Sequence, residues 1–157
     1  YCQAFCRDFY SLDKESAKSA AAAIELLHRS APDMTWFMEV FNSGARKFGA
    51  DREHKRRALL MQKAVEQSIA VLKKSLSKAR RNQERLNDVL LSARLIKRMA
   101  QYCVNGCSKR GLPKDAGLAE ACVKSWNSMR VEKWKLGQAI PHSYFSDHVL
   151  ELAQRLA

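Results

Sequence analysis

The longest regular pattern of apolar and polar positions lies between Asp51 and Asn105, a stretch of 55 residues without glycine or proline. Apolar residues recur at every seventh position of this stretch: Ala58, Val65, Leu72, Ala79, Leu86, Ala93 and Ala100. Such spacing is typical of a helix that buries one face. We predict one long central helix over 51–105, because the spacing continues across its middle and no turn residue stronger than Asn82 interrupts it. A hairpin that turns within residues 80–85, where polar residues crowd together, is the alternative.

The remaining segments and the composition predict an all-α fold. We predict an N-terminal arm over residues 1–12 and a first helical region over 13–49, with Asp13 or Ser16 as its cap. The C-terminal helices are predicted over 115–157. Hydrophobic residues make up 46% of the chain, which has only six glycines and three prolines. We therefore expect a single domain over 1–157, a bundle of about five helices built around the long basic central helix.

The most hydrophobic segment follows Pro32, and its apolar residues fall on nearly every side of a helix. These residues are Met34, Trp36, Phe37, Val40 and Phe41. One interpretation is a short helix buried in the core. The other is an exposed apolar patch that contacts a lipid surface, a partner or a second copy of the chain in a homodimer.

Positive charge is concentrated in the central stretch, which holds 14 Lys and Arg against 5 Asp and Glu in a chain of net charge +12. Lys74, Lys78 and Arg81 follow one another at steps of four and three, and Arg85 comes four residues later, so they predict a row along one helix side. The full predicted basic surface is Lys55, Arg56, Arg57, Lys73, Lys74, Lys78, Arg80, Arg81, Arg85, Arg94, Lys97 and Arg98. A surface of this sign attracts anionic partners.

Four of the five cysteines form two pairs with the same spacing, Cys2 with Cys6 and Cys103 with Cys107. Residues four apart share a helix face, so two neighbouring helices could be joined by two disulfides, with Cys122 left over. A zinc site of four thiolates and a set of free thiols remain alternatives. The start at Tyr1 instead of Met suggests a processed and secreted protein. No uncharged run approaches the roughly 18 residues of a membrane span.

Catalytic signatures are not evident in the sequence. There is no glycine-rich phosphate loop and no nucleophile motif, and the carboxylates are mostly interleaved with Lys and Arg. The four histidines are scattered, so each is interpreted as a surface or hydrogen-bonded residue: His28, His54, His142 and His148. We therefore expect a protein that is not an enzyme, with no metal, no cofactor and no small-molecule substrate.

The C-terminal third carries short motifs in a characteristic order. Gly-Leu-Pro-Lys-Asp-Ala-Gly-Leu starts at Gly111, Arg-Val-Glu-Lys-Trp-Lys-Leu at Arg130, and Ile-Pro-His-Ser-Tyr-Phe at Ile140, followed by Leu-Glu-Leu at Leu150. This order resembles the abalone sperm lysin family, and within it most of all the diverged eighteen-kilodalton fusagenic sperm acrosomal branch. The resemblance implies a secreted acrosomal protein with a five-helix fold that works without covalent chemistry, so no catalytic residue is carried over.

Charge, secretion and resemblance together predict a sperm acrosomal protein that binds anionic membrane surfaces and promotes gamete membrane fusion. One alternative is a lysin-like binder that dissolves the egg vitelline envelope by competing for contacts between its acidic glycoproteins. Another is a basic helical module for nucleic acid or signalling. None of the usual DNA-binding motifs is visible, so nucleic acid is not the expected partner.

Overall fold

The computed structural model describes residues 2–31, 36, 39–40, 50–108, 110–112, 115 and 117–125. The protein is an all-α helical bundle, which confirms the predicted class, and the described residues contain no strand. The chain divides into two compact units, Tyr1–Leu112 and Pro113–Ala157, where the sequence had predicted one domain over 1–157. In the second unit residues 117–125 are helical. The rest of the predicted C-terminal helices lies outside the described residues.

The helices of the first unit whose bounds the structure describes are α1 over Cys2–Phe9, α2 over Lys14–Ser30, α3 over Arg52–Leu76 and α4 over Gln83–Val104. Residues 36 and 39–40 are helical as well. The predicted arm is therefore largely helical. Asp13 caps α2, since its carboxylate accepts a hydrogen bond from the Ser16 amide at 2.8 Å. Asp51 caps α3 in the same way, accepting from the His54 amide at 3.0 Å. No helix in the described ranges is both long and apolar enough to cross a membrane.

The single central helix predicted over 51–105 is wrong, and the hairpin alternative is correct. Helix α3 ends at Leu76, residues 77–82 connect, and α4 begins at Gln83. The two helices run antiparallel, because the Lys97 ammonium of α4 lies 3.0 Å from the Glu66 carboxylate of α3. Asn82 adopts the left-handed conformation, with φ of 49°, which asparagine tolerates better than most residues.

The turn is held by a contact from the start of the chain. The backbone amides of Arg80 and Arg81 both donate to the Tyr10 carbonyl, at 3.1 and 3.3 Å. The Asn82 side chain donates through Nδ2 to the Phe9 carbonyl at 2.8 Å. The chain can therefore turn after Leu76 without glycine or proline, because the amides of the connection find acceptors outside the hairpin.

The predicted apolar spacing does mark the core. All seven residues at the seven-step positions are buried, including Ala79 in the connection. Helices α3 and α4 pack against each other, and α2 packs on α3 with small side chains that allow close approach. The buried alanines of α2 are Ala17, Ala20, Ala21 and Ala23. Helix α1 packs against α2 in turn.

Candidate functional site

The hairpin tip is the end of the hairpin where α3 is connected to α4, and it comprises residues 73–85. It holds six Lys and Arg and a single acid, Glu84. The predicted row of cations along one helix side is wrong, because the helix ends at Leu76 and both Lys78 and Arg81 lie in the connection. The structure instead gathers the same residues at one end of the hairpin.

A series of side-chain hydrogen bonds connects the hairpin tip to the start of α2. The Lys78 ammonium donates to the Ser16 hydroxyl at 3.0 Å, and that hydroxyl donates to the Asp13 carboxylate at 2.7 Å. The pKa of Asp13 is lowered, first by the hydrogen bond from the Ser16 amide, then by the Ser16 hydroxyl and by the charge of Lys78. This capping carboxylate is thus kept charged beside the tip.

Several members of the predicted basic surface are neutralised by partners. Arg56 pairs with Glu53 at 2.8 Å, and Arg85 lies 3.6 Å from Asp88. Arg98 is only 5% exposed, so its assignment to the surface is wrong.

Other members are partly or fully accessible. Arg57 is exposed and its guanidinium lies 5.5 Å from the centre of the Trp36 ring, while Lys55, Arg94 and Lys97 are half-buried. Within the predicted basic surface, four cations are exposed and take part in no ion pair with another described residue: Lys73, Lys74, Arg80 and Arg81. All four belong to the hairpin tip. Exposed cations without an ion pair also occur elsewhere in the described chain, among them Arg29, Arg52 and Lys63.

The predicted apolar patch is not exposed where the structure describes it. Trp36 is 6% exposed and Val40 is 2% exposed, so both belong to the core and the interpretation as a buried helix is supported. The other members of the predicted patch, Met34, Phe37 and Phe41, lie outside the described residues. The indole N–H of Trp36 donates to Nδ1 of the buried His54 at 3.2 Å, which accounts for its polar atom.

An exposed aromatic pair that the sequence analysis missed lies beside the tip. Phe5 and Phe9 are 40% and 36% exposed, and their rings stack with centroids 4.8 Å apart. Tyr10 is buried and meets both rings edge-on. Since the Phe9 and Tyr10 carbonyls accept the hydrogen bonds of the tip, the aromatic pair and the free cations share one end of the bundle. The four-residue spacing of Phe5 and Phe9 was the available signal.

Two further large apolar side chains are exposed, Leu59 at 44% and its neighbour Leu60. Both lie in the first half of α3, about 20 Å or more along the helix from the tip at roughly 1.5 Å per residue. They therefore serve as a control for the aromatic pair, because they are exposed and apolar but remote from the hairpin tip.

The predicted disulfides between the two cysteine pairs are wrong. Cys6 lies in α1, whose end contacts the hairpin tip, whereas Cys103 lies at the far end of α4. Helix α4 has 22 residues and so spans roughly 33 Å, far more than the roughly 7 Å between Cα atoms that a disulfide allows. All five cysteines are free thiols. Burial, and then the neighbouring Cys2, raise the pKa of Cys6 to about 12.

The second cysteine pair has a neighbour that the sequence analysis did not anticipate. The ligand atoms of His54, Cys103 and Cys107 all lie within 4.8 Å of one another, and the three side chains are buried. Burial is the largest cause of the raised pKa of each thiol, and burial also lowers the pKa of His54. The histidine, interpreted from the sequence as a surface or hydrogen-bonded residue, belongs to a cluster with metal-ligating chemistry.

Comparison with models of known protein families, with curated proteins and with solved structures finds no match to this chain. The resemblance to the abalone sperm lysin family therefore stays a prediction that rests on the short C-terminal motifs.

Proposed function

We propose that this protein binds anionic membrane surfaces through the hairpin tip and the aromatic pair, and that it is not an enzyme. The observation that carries the proposal is the docking of α1 on the turn. The Tyr10 carbonyl accepts from the amides of Arg80 and Arg81, and this contact fixes exposed phenyl rings next to cations that have no acidic partner among the described residues.

The two parts of this surface suit the two layers of a lipid interface. Each Lys or Arg near an anionic leaflet contributes roughly 1 kcal/mol to binding, so the four cations supply long-range attraction and orientation. The stacked rings of Phe5 and Phe9 supply apolar area that can enter the boundary between headgroups and acyl chains. Either part alone gives weak binding, and together they favour docking of this end of the bundle.

The biological setting of the proposal follows from the resemblance stated above. A secreted sperm protein, held in the acrosomal vesicle and released at fertilisation, would meet the anionic lipids of a gamete membrane. Docking through the tip would then bring two membranes together as a step toward their fusion. This setting goes beyond the binding surface and is tested separately from it.

Binding is tested by flotation of the full chain with vesicles of phosphatidylcholine, with and without phosphatidylserine. We expect binding only to the anionic vesicles, and release when salt is raised from about 0.1 M to about 1 M, because the screening length falls from about 10 Å to about 3 Å. Equal binding to neutral and anionic vesicles would refute the role of the tip. Binding to an acidic glycoprotein or to duplex DNA, with none to vesicles, would refute the membrane as the partner.

Fusion is tested with the same anionic vesicles by lipid mixing, followed as dilution of a fluorescent lipid pair. We expect mixing that requires bound protein and that stops at high salt. Binding without mixing would retain the membrane surface as the partner and refute the fusion step.

A further inference from the structure

The buried cluster at the other end of the hairpin, far from the tip, contains three side chains of a kind that ligate zinc. His54 is in the first turn of α3, Cys103 is in the last turn of α4, and Cys107 follows that helix. Antiparallel pairing of the helices brings the histidine to the two cysteines although 49 positions separate His54 from Cys103. We propose that these three residues bind one Zn²⁺ ion, a site unrelated to the membrane surface.

Backbone geometry aims the second cysteine at the first. After α4 ends, Gly106 and Cys107 both have positive φ, at 66° and 55°. The Cys107 amide donates to the Tyr102 carbonyl at 2.9 Å, and the Gly106 amide donates to the Cys103 carbonyl at 3.1 Å. A positive φ is uncommon for a residue other than glycine, and such conformations are concentrated at functional sites. Here the unusual turn folds the chain back so that both thiols face the histidine.

The distances and the chemistry fit zinc. Zinc binds sulfur at about 2.3 Å and histidine nitrogen at about 2.0 Å in a tetrahedron, so its ligand atoms lie roughly 3.5–4 Å apart. The three atoms of the cluster are within 4.8 Å, and small side-chain rotations would close the difference. Buried cysteines often pack as small apolar groups, but a histidine within 4.8 Å of both thiols supplies a mixed sulfur and nitrogen set that zinc favours. The fourth position is assigned to a water molecule.

Coordination has a definite proton balance. Zn²⁺ binds the two cysteines as thiolates, so two thiol protons are released to solvent as the two Zn–S bonds form. The histidine binds as a neutral ring, through whichever nitrogen does not carry the proton. Its Nδ1 now accepts the Trp36 indole N–H. If Nδ1 binds the metal, or if Nδ1 takes the ring proton so that Nε2 binds it, Trp36 loses this acceptor.

This loss gives the site an optical signal besides metal content. The Trp36 ring stacks on the His54 ring, with centroids 5.1 Å apart, and would report a change of its hydrogen bond in its fluorescence. The probe is Zn²⁺ itself, added to the full chain after reduction with a phosphine and removal of metal. Co²⁺ is added in a parallel sample, because thiolate ligands give it a charge-transfer absorption band.

We expect one equivalent of Zn²⁺ to bind, a changed Trp36 emission, and a thiolate band with Co²⁺. Cys103→Ala should weaken binding by at least about 100-fold, since losing even a group behind a ligand costs roughly 10- to 100-fold. Cys6→Ala is the matched control, because it removes an equally buried thiol from the other pair and should leave binding unchanged.

Three results would overturn the proposal. The first is equal zinc affinity in the Cys103→Ala and Cys6→Ala variants. The second is the lack of a cobalt–thiolate band in the wild-type chain, which decides the matter even if the variants fail to fold. The third is a Cys103–Cys107 disulfide in protein purified without reductant, combined with no metal uptake after reduction, which would assign the pair to redox chemistry instead.

Discussion

Replacing three cations of the hairpin tip is the sharpest way to locate the membrane-binding surface. The test variant carries Lys74→Gln, Arg80→Gln and Arg81→Gln, which lowers the net charge from +12 to +9. All three side chains are exposed, and Arg80 and Arg81 hold the turn through their backbone amides and not through their side chains, so the fold should be retained. Exposed substitutions of this kind usually change the free energy of unfolding by no more than about 0.5 kcal/mol.

The expected loss follows from the number of charges. At roughly 1 kcal/mol for each cation near an anionic leaflet, the three substitutions weaken binding by about 3 kcal/mol. Since each 1.4 kcal/mol is a factor of ten, the dissociation constant should rise by about 100-fold. The assay is a titration of phosphatidylserine vesicles into the protein, followed by flotation at fixed salt.

The matched control removes the same charge from the opposite half of the bundle. It carries Arg29→Gln, Arg52→Gln and Lys63→Gln, three exposed residues that lie toward the end of α2 and the first half of α3. Charges farther from the membrane than the screening length of about 8 Å contribute little at physiological salt, so we expect a change of less than about threefold. Equal losses in the two variants would show that net charge, and not the tip, governs binding.

Three other predictions concern the aromatic pair, the core and the first cap. Replacing Phe5 and Phe9 by Ser should weaken vesicle binding by about fivefold for each ring, from roughly 1 kcal/mol of apolar area, whereas Leu59→Ser should leave it unchanged in the same flotation assay. Leu72→Ala should lower the free energy of unfolding in urea by about 3–5 kcal/mol, because this leucine is fully buried; a loss below about 1 kcal/mol would contradict the assigned core. Asp13→Ala should lower the melting temperature at pH 7. The pKa of Asp13 in the folded protein lies below its unfolded value near 3.9. The stabilisation that its charge provides is therefore present above that value and is lost as the pH falls through the folded pKa. The difference in melting temperature between wild type and Asp13→Ala should shrink below about pH 4, and a difference independent of pH would contradict the charged cap.

The sequence predicted which residues are buried better than it predicted how the helices connect. The seven-step spacing identified the core stripe correctly, because burial of one face leaves the same period in any amphipathic helix. The same spacing led to the error of one long helix. Ala79 in the turn and Leu86 in α4 are seven residues apart and both are buried in the same core, so the seven-step spacing continues although the helix does not.

The turn could not be predicted from local sequence because its hydrogen-bond acceptors are remote. The carbonyls of Phe9 and Tyr10 replace the acceptors that a continuing helix would have supplied. The sequence near residue 80 does not indicate that these acceptors lie at the start of the chain. The cluster of His54, Cys103 and Cys107 was missed for a similar reason, because its members are remote in sequence. Once the turn is placed near residue 80, His54 and Cys103 fall at matching distances on its two sides, and their proximity could have been deduced from pattern alone.

The contact between the Tyr10 carbonyl and the turn also couples two distant parts of the chain. The side-chain bond from Asn82 to the Phe9 carbonyl spans 73 positions of sequence. We expect the amides of Arg80 and Arg81 to exchange slowly with deuterium, because exchange requires the Tyr10 carbonyl to move away from the turn. The exchange rate of these two amides in the turn therefore measures how often α1 detaches from the turn, although neither amide belongs to α1.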